Sequence, residues 1–245
     1  MESLEGYQPK SFESFVVGFV GDPGVGSTTI SRRLHDIEFL TIGPLGESPH
    51  PTRAIEELGE IQIHHLSWLL SHLDYHSPEH PNPKHLREFH ESLRSQGKGQ
   101  EVFDALTKFN RGVHIVEKIR HPADASEIRA RGGYIVSLVV SSTSISDDRY
   151  LTDMTDPKHT SQPHDDARRS ALARAKEECE PQDDSPFSSD IKSTKLLAHT
   201  EIDVSDTIDT SALRVAQALR NLGLHYLATR NMTPLPEVIR YWPVD

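Results

Sequence analysis

The hydrophobic pattern of the chain begins with a short, almost uninterrupted apolar run that leads directly into glycines. Residues 15–20 read FVVGFV, a run rich in β-branched and aromatic side chains, as is typical of a central parallel strand covered on both faces. Gly21, Gly24 and Gly26 follow, and residues 28–34 can begin a helix. The pattern therefore predicts a strand, a tight loop and a helix in immediate succession.

Further apolar patterns predict an alternation of helices and strands. The apolar residues within 52–73 have near-helical spacing and predict one amphipathic helix. The other predicted elements are a short strand at 38–42, helices at 84–95 and 99–109, strands at 113–116 and 134–140, and a helix at 123–131. This alternation predicts an α/β fold with a mainly parallel sheet, into which a helical block over about 52–110 is inserted.

The glycine-rich loop is the strongest chemical signal in the sequence. It fits the phosphate-binding pattern G-x-x-x-x-G-K-[ST] at Gly21, Gly26 and Thr28. Such a loop presents several backbone N–H groups to one anion, and the dipole of the following helix adds roughly half a positive charge behind it. The motif predicts a triphosphate site with Thr28 as a magnesium ligand. An ordinary glycine-rich turn between a strand and a helix is the alternative interpretation.

The loop departs from the motif at one position, because Ser27 stands where the motif has lysine. In phosphate-loop enzymes that ammonium reaches the β- and γ-phosphates, so we expect its loss to lower the rate of transfer far more than nucleotide binding. Arg32 or Arg33 could replace it only if the side chain folds back over the loop.

Composition and charge limit the classes of partner. The chain has 245 residues, of which 35% are hydrophobic and 26% charged, as is ordinary for a folded α/β domain. Its net charge is −11 and it has no long basic run, so neither nucleic acid nor a membrane surface is an expected partner. Small phosphorylated ligands need only a local basic site.

The number of cysteines and the pattern of the first residues indicate in which cellular compartment the protein is expected. Cys179 is the single cysteine, which excludes an internal disulfide and a cysteine-rich zinc site. No apolar run reaches the roughly 20 residues of a membrane span, and residues 1–14 lack the pattern of a signal peptide. A cytoplasmic location is the expectation.

Histidines are frequent between residues 64 and 90, where seven of the fifteen occur. His65, His72 and His76 could share one helical face. The segment has no H-E-x-x-H motif and no cysteine, so we expect surface or packing roles rather than a metal site.

Two segments of the chain resemble a known family. Residues 16–30 carry the glycine loop, and residues 113–140 carry Glu117, Arg120 and Pro122 at the end of an apolar strand, then a helix, two glycines and another apolar strand. This succession resembles the phage deoxynucleoside monophosphate kinases. It is similar as well to the P-loop domain joined to some deoxycytidylate deaminases and, more distantly, to dephospho-coenzyme A kinase.

The resemblance extends over about residues 14–225 and implies a P-loop NTPase-type three-layer fold. Residues 1–225 are then the kinase-like domain, in which the helical insertion lies on the acceptor side. Residues 201–209 and 211–222 are similar to the final strand and helix of the family. The apolar residues of 226–245 predict a tail that docks on its own domain or on a partner. The insertion and the tail are both candidate surfaces for a homo-oligomer.

Carried over residue by residue, the resemblance implies that Arg120 contacts the acceptor phosphate, for which guanidinium geometry is well suited. Glu117 occupies the place of an acidic residue that could reach magnesium or the attacking oxygen. The alternatives are a surface ion pair of Arg120 with Asp124 or Glu127, and a solvated strand-end charge at Glu117. The residues expected to bind ATP are Gly21, Gly24, Val25, Gly26, Ser27, Thr28 and Thr29, of which Thr28 is also the expected Mg²⁺ ligand.

Residues 144–180 predict a lid. The resemblance implies that arginines such as Arg149 and Arg168 close over the transferring phosphoryl group, and one of them could partly replace the missing lysine. A solvated charged helix is the alternative for each arginine. The following acidic, serine-rich stretch at about 180–190 predicts a flexible loop.

The leading hypothesis is therefore a P-loop nucleotide kinase that transfers the γ-phosphate of ATP to a (deoxy)nucleoside monophosphate or a similar small acceptor, with Mg²⁺. The alternative is a catalytically degenerate nucleotide-binding or interaction protein, which Ser27 favours. An ion pair between Glu117 and Lys118 would favour the same alternative.

Overall fold

Strands and helices alternate along the chain in a computed structural model that describes residues 11–38, 61–73, 83–104, 106, 112–141, 173 and 190–230. The strands are β1 (Phe15–Gly21), β2 (Ile61–His65), β3 (Val113–Glu117), β4 (Tyr134–Val139) and β5 (Thr200–Asp203). The helices are α1 (Ser27–Glu38), α2 (Leu66–Leu73), α3 (Pro83–Ser95), α4 (Glu101–Asp104), α5 (Pro122–Ala130), α6 (Ile191–Lys195) and α7 (Ile208–Arg230).

The five strands form one sheet in the order β2-β3-β1-β4-β5. Each neighbouring pair is parallel, and β1 lies in the centre between β3 and β4. Gly18 of β1 is in register with Val116 of β3, so the end of β3 lies beside the last residues of β1. The predicted α/β class with a mainly parallel sheet is confirmed, and the carboxyl ends of the strands, where ligands of such sheets bind, form one edge.

Helices cover both faces of the sheet, so β1 buries side chains in both directions. Phe15, Val17 and Phe19 pack with α1 and α7 on one face. Val16 and Val20 pack on the other face with apolar residues of α2 to α6. This two-sided burial explains why β1 is a continuous apolar run rather than an alternating one.

The predicted helix over 52–73 is wrong for residues 61–65, which form β2. Ile61 and Ile63 belong to this strand and pair in parallel with β3, whereas the apolar residues from Leu66 onward belong to α2. The near-helical spacing of the apolar residues over 52–73 therefore combined residues of two different elements, β2 and α2. Isoleucine favours a strand once a pairing partner is present, and that partner lies far away in sequence. Residues 52–60 lie outside the described part of the chain.

The other helix and strand predictions agree more closely with the structure. The predictions over 84–95, 113–116, 123–131 and 134–140 are confirmed as α3, β3, α5 and β4. The predicted helix over 99–109 is confirmed only for α4, and residues 107–110 are outside the described part. Of the predicted strand at 38–42, Glu38 instead ends α1 and the rest is not described.

The carboxyl-terminal helix is longer than predicted. α7 continues through Arg230, beyond the expected end at residue 222. Tyr226 is buried on this helix, where its ring lies 5.4 Å from that of Phe15 and its hydroxyl donates to the carbonyl of Glu13 at 3.1 Å. These contacts attach the end of α7 to the beginning of β1. The residues after 230 are outside the described part.

Candidate functional site

The glycine loop connects β1 to α1, as the sequence predicts. Gly24 and Gly26 have φ angles of 83° and 85°, a region that side-chain-bearing residues rarely adopt. The buried side chain of Val25 anchors the loop, and its N–H donates to the carbonyl of Asp22 at 3.1 Å. The first helical bond runs from the N–H of Ile30 to the carbonyl of Gly26 at 2.9 Å. The loop therefore ends at a helix N-terminus, the arrangement in which P-loops hold phosphates.

Thr28 and Glu117 meet at the mouth of this loop. The hydroxyl of Thr28 donates to Oε2 of Glu117 at 3.1 Å, across 89 residues of sequence. Glu117 is only 1% exposed, and its other oxygen, Oε1, is buried without a hydrogen-bond partner. Burying a carboxylate oxygen unpaired costs free energy, so this arrangement points to a missing cation or donor.

The sheet explains how Glu117 reaches the loop. It is the last residue of β3, which pairs directly with β1. The next residue, Lys118, has a φ of 63°, and the chain then turns so that the N–H of Ile119 donates to the carbonyl of Phe19 at 3.1 Å. Lys118 is exposed whereas Glu117 points into the protein. A non-glycine residue with positive φ stores strain, and here it follows the buried acid directly.

The residues present fit a magnesium ion. Thr28 and Glu117 offer a hydroxyl and a carboxylate oxygen, the hard ligands that Mg²⁺ prefers. Magnesium commonly takes only one or two protein ligands and completes its shell with phosphate oxygens and water. Among the described residues there is no group of three or more histidine, cysteine, aspartate or glutamate side chains placed to hold a metal by themselves.

Cationic groups gather at the ends of β2 and β3. His65 ends β2 in register with Glu117. The pKa of His65 is lowered to about 4, first by burial and then by the nearby charges of Lys118 and Arg120. Arg120 is half-buried, and its backbone carbonyl accepts from the N–H of Asp190 at 2.8 Å. Two cations, Lys118 and Arg120, therefore lie near His65, and such groups suit an anionic ligand. Sequence reasoning took His65 for a helix residue and missed its position here.

Asp124 and Glu127, the two acids that the alternative interpretation pairs with Arg120, both contact other basic residues. Asp124 is fully buried between Arg94 and His90 of α3. Burial by itself would raise the pKa of Asp124, but its interactions with His90 and Arg94 hold that pKa well below the usual range. Glu127 accepts from the guanidinium of Arg131 at 2.7 Å. Both acids thus have cationic partners that serve the packing of α5.

A lysine from a distant part of the chain lies at the loop. Lys195 ends α6, and its Nζ is 2.7 Å from Oδ2 of Asp22 in the loop. The two residues are 173 positions apart, so no local pattern in the sequence could have indicated the contact. Arg33 donates to Asp209 of α7 at 2.7 Å, and Arg32 is exposed. In the part of the chain that the structure describes, Lys195 is thus a cation that reaches the loop from outside the motif.

Several predicted features lie outside the described residues. They include Arg149, Arg168 and nearly all of the expected lid over 144–180. The acidic stretch over 180–189 is outside the described residues as well. The last residue of that stretch, Asp190, is described. Its side chain accepts from the N–H of Ser193 at 2.9 Å and caps α6.

Some of the histidines that the structure describes have packing roles. Nε2 of His64 lies 2.9 Å from Nδ1 of His114 within the sheet, and the two rings are stacked. His90 contacts Asp124, and His85 is exposed on α3. His76 and His80 are outside the described part.

Comparison with known proteins gives fold-level likeness only. No family model and no curated protein matches the chain. Solved structures similar to it include a shikimate kinase from Bacteroides thetaiotaomicron (14% identity, 84% of this chain, 98% of that chain, TM-score 0.42). A gluconokinase from Sinorhizobium meliloti 1021 shares 12% identity, over 90% of this chain and 99% of that chain, with a TM-score of 0.43. The Deinococcus radiodurans tunicamycin resistance protein shares 14% identity, over 84% of this chain and 96% of that chain, with a TM-score of 0.43. With scores and identities this low, the matches do not bear on what this chain binds.

Among the helices that the structure describes, none is both long enough and apolar enough to cross a bilayer.

Proposed function

We propose that this protein is a P-loop nucleotide kinase that transfers the γ-phosphoryl group of Mg-ATP to a (deoxy)nucleoside monophosphate or a similar small phosphorylated acceptor. The single observation that carries the proposal is the contact of Thr28 with Glu117, whose second oxygen is buried and unpaired beside the glycine loop. A plain turn between a strand and a helix does not require such an acid.

Thr28 and Glu117 are the residues that would hold Mg²⁺. The ion, when bound, neutralises negative charge on the β- and γ-phosphates. The chain itself contributes the loop N–H groups and the N-terminus of α1, which bind and orient the triphosphate. Glu117 fixes the hydroxyl of Thr28 in position before any ligand arrives, and such preorganisation limits the reorganisation needed during transfer.

The acceptor side of the proposal rests on Arg120, which lies with Lys118 near His65. A guanidinium can bind two oxygens of a phosphate monoester at once. Held there, an acceptor oxygen attacks the γ-phosphorus while the β–γ bridging oxygen leaves with ADP. The protein contributes position and charge rather than a covalent intermediate.

The first test is ADP production from Mg-ATP against a panel of ribo- and deoxynucleoside monophosphates, with nucleotide binding measured in parallel by calorimetry. We expect turnover with one class of acceptor, and we expect Thr28→Ala and Glu117→Gln to reduce it about 100-fold or more. Glu201→Gln is the matched control, because Glu201 is exposed on β5. Arg120→Ala is expected to raise KM for the acceptor more than KM for ATP.

The outcomes separate the alternatives. Turnover that survives both Thr28→Ala and Glu117→Gln would remove the site assignment. Binding of Mg-ATP without turnover on any acceptor would favour a nucleotide-binding protein that has lost catalysis. The absence of any Mg-ATP binding would refute a nucleotide role of either kind.

A further inference from the structure

The phosphate loop of this chain presents an electrostatic problem. Position 27 carries serine where an ammonium is expected, and Asp22 adds a negative charge within the loop itself. Glu117 lies beside it as a second acid. Both carboxylates oppose the binding of a triphosphate unless nearby cations offset their charge.

Lys195 offsets this charge from outside the motif. Its ammonium is 2.7 Å from the carboxylate of Asp22, and its side chain is 22% exposed. An ammonium in this position is close to the loop and remains accessible to solvent. Asp22 is 44% exposed, so the pair lies at an opening rather than in the core.

The short helix α6 holds Lys195 in place. Ile191, one turn before Lys195, is 2% exposed and packs among the apolar residues beneath the sheet. Thr194 is fully buried, and its N–H donates to the carbonyl of Asp190 at 3.0 Å. The N–H of Asp190 in turn donates to the carbonyl of Arg120. The helix is thereby fastened both to the core and to the turn after β3, and its last residue faces the loop.

On the basis of the function proposed above, we propose that Lys195 supplies the ammonium that the loop lacks at position 27 and contacts the β- and γ-phosphate oxygens of the bound nucleotide. In the structure, Asp22 holds this ammonium at the loop. When a triphosphate binds, its oxygens compete with Asp22 for the same three N–H donors.

The competition between Asp22 and the phosphates gives a test that a purely structural ion pair would fail. If Lys195 binds phosphate, Lys195→Met weakens Mg-ATP binding about 10- to 100-fold, the usual value of a charge-assisted hydrogen bond. Asp22→Asn instead strengthens binding or leaves it unchanged, because it removes a competitor and a negative charge. If the pair only fastens α6 to the loop, both substitutions weaken binding alike.

The experiment measures the Kd of Mg-ATP, Mg-ADP and AMP by calorimetry for the full chain and its variants. The effect of Lys195→Met should be large for ATP and ADP and small for AMP, which lacks the β- and γ-phosphates. Ser27→Lys combined with Lys195→Met should restore affinity for ATP, since it puts an ammonium back at the motif position. Lys192→Met is the control, because Lys192 is exposed on the same helix.

Each outcome decides one of the two proposals. If the unmodified protein binds Mg-ATP and Lys195→Met binds it within twofold as well, the role of Lys195 is overturned and the kinase proposal stands. Equal weakening by Lys195→Met and Asp22→Asn, without rescue by Ser27→Lys, also overturns it. If the unmodified protein does not bind Mg-ATP, both proposals fail.

Discussion

Acidification should destabilise this protein through the buried pair of His64 and His114. His64 is 6% exposed, and its Nε2 lies 2.9 Å from Nδ1 of His114 on the neighbouring strand. Burial and, next, the charge of His114 lower the pKa of His64 from 6.5 to about 4. The folded state therefore keeps this ring neutral at a pH where the unfolded chain protonates it.

The sign and size of the effect follow from linkage. Between about pH 6.5 and pH 4 the unfolded state binds more protons than the folded state, so the free energy of unfolding rises with pH. The contribution of His64 is complete above about pH 6.5 and is lost as the pH falls through that window. Between pH 7 and pH 5 the loss is about 2 kcal/mol. For a chain of this size that corresponds to roughly 4–8 °C in Tm.

Urea unfolding of the unmodified protein and of His64→Gln at pH 7 and pH 5 measures the effect. Glutamine keeps a polar group for His114 but does not titrate, so its loss of stability between the two pH values should be smaller by about 2 kcal/mol. His85→Gln, at an exposed histidine of α3, should behave like the unmodified protein. Equal losses in the unmodified protein and in His64→Gln would refute the reasoning.

Three further substitutions test the packing and the loop. Asp124→Asn should destabilise the protein by about 3–5 kcal/mol in urea unfolding, because it leaves the buried cation of Arg94 without its carboxylate. Gly133→Ala should lower Tm, since a Cβ there would lie 2.6 Å from Cγ2 of Ile128 and 3.0 Å from its carbonyl oxygen. Gly26→Ala should cost about 1–2 kcal/mol of backbone strain at its φ of 85° and weaken Mg-ATP binding in calorimetry.

For each of these three substitutions, a particular result would contradict the prediction. Asp124→Asn unfolding at the urea concentration of the unmodified protein would show that the charge cluster does not stabilise α5 against α3. Gly99→Ala, where the nearest contact of a Cβ is the flexible side chain of Arg94 at 3.4 Å, should lower Tm less than Gly133→Ala. Unchanged Mg-ATP affinity in Gly26→Ala would separate the loop from nucleotide binding.

The parts of the fold that the sequence predicts are those specified by neighbouring residues. The strand over 15–20, the glycine spacing and the start of α1 are local signals, and the structure contains all three. The pairing of β2 is not local. Its register with β3 depends on residues about 50 positions away, as the contact of His64 with His114 illustrates. Spacing alone therefore favoured one long helix where a strand and a shorter helix occur.

In the candidate site too, some features could be predicted from the sequence and others depend on contacts between distant residues. Glu117 could be placed near Thr28 from the sequence, because parallel strands bring their carboxyl ends to one edge and a loop after β1 lies on that edge. The sequence could not predict that Oε1 of Glu117 is buried and unpaired, since its burial depends on how Lys118 and Ile119 turn back toward β1.

Lys195 marks the limit of motif-based inference. A motif describes which residue stands at a given place in the chain, whereas the phosphate responds only to where the charge lies in space. Substitution at position 27 removes the ammonium from the motif, but α6 brings another to within 2.7 Å of Asp22 from 173 residues away. Loss of the motif lysine is therefore weak evidence for lost catalysis in this chain. The comparison of Lys195→Met with Asp22→Asn tests that conclusion directly, because weaker ATP binding in the first variant without weaker binding in the second is expected only if the distant ammonium binds the phosphates.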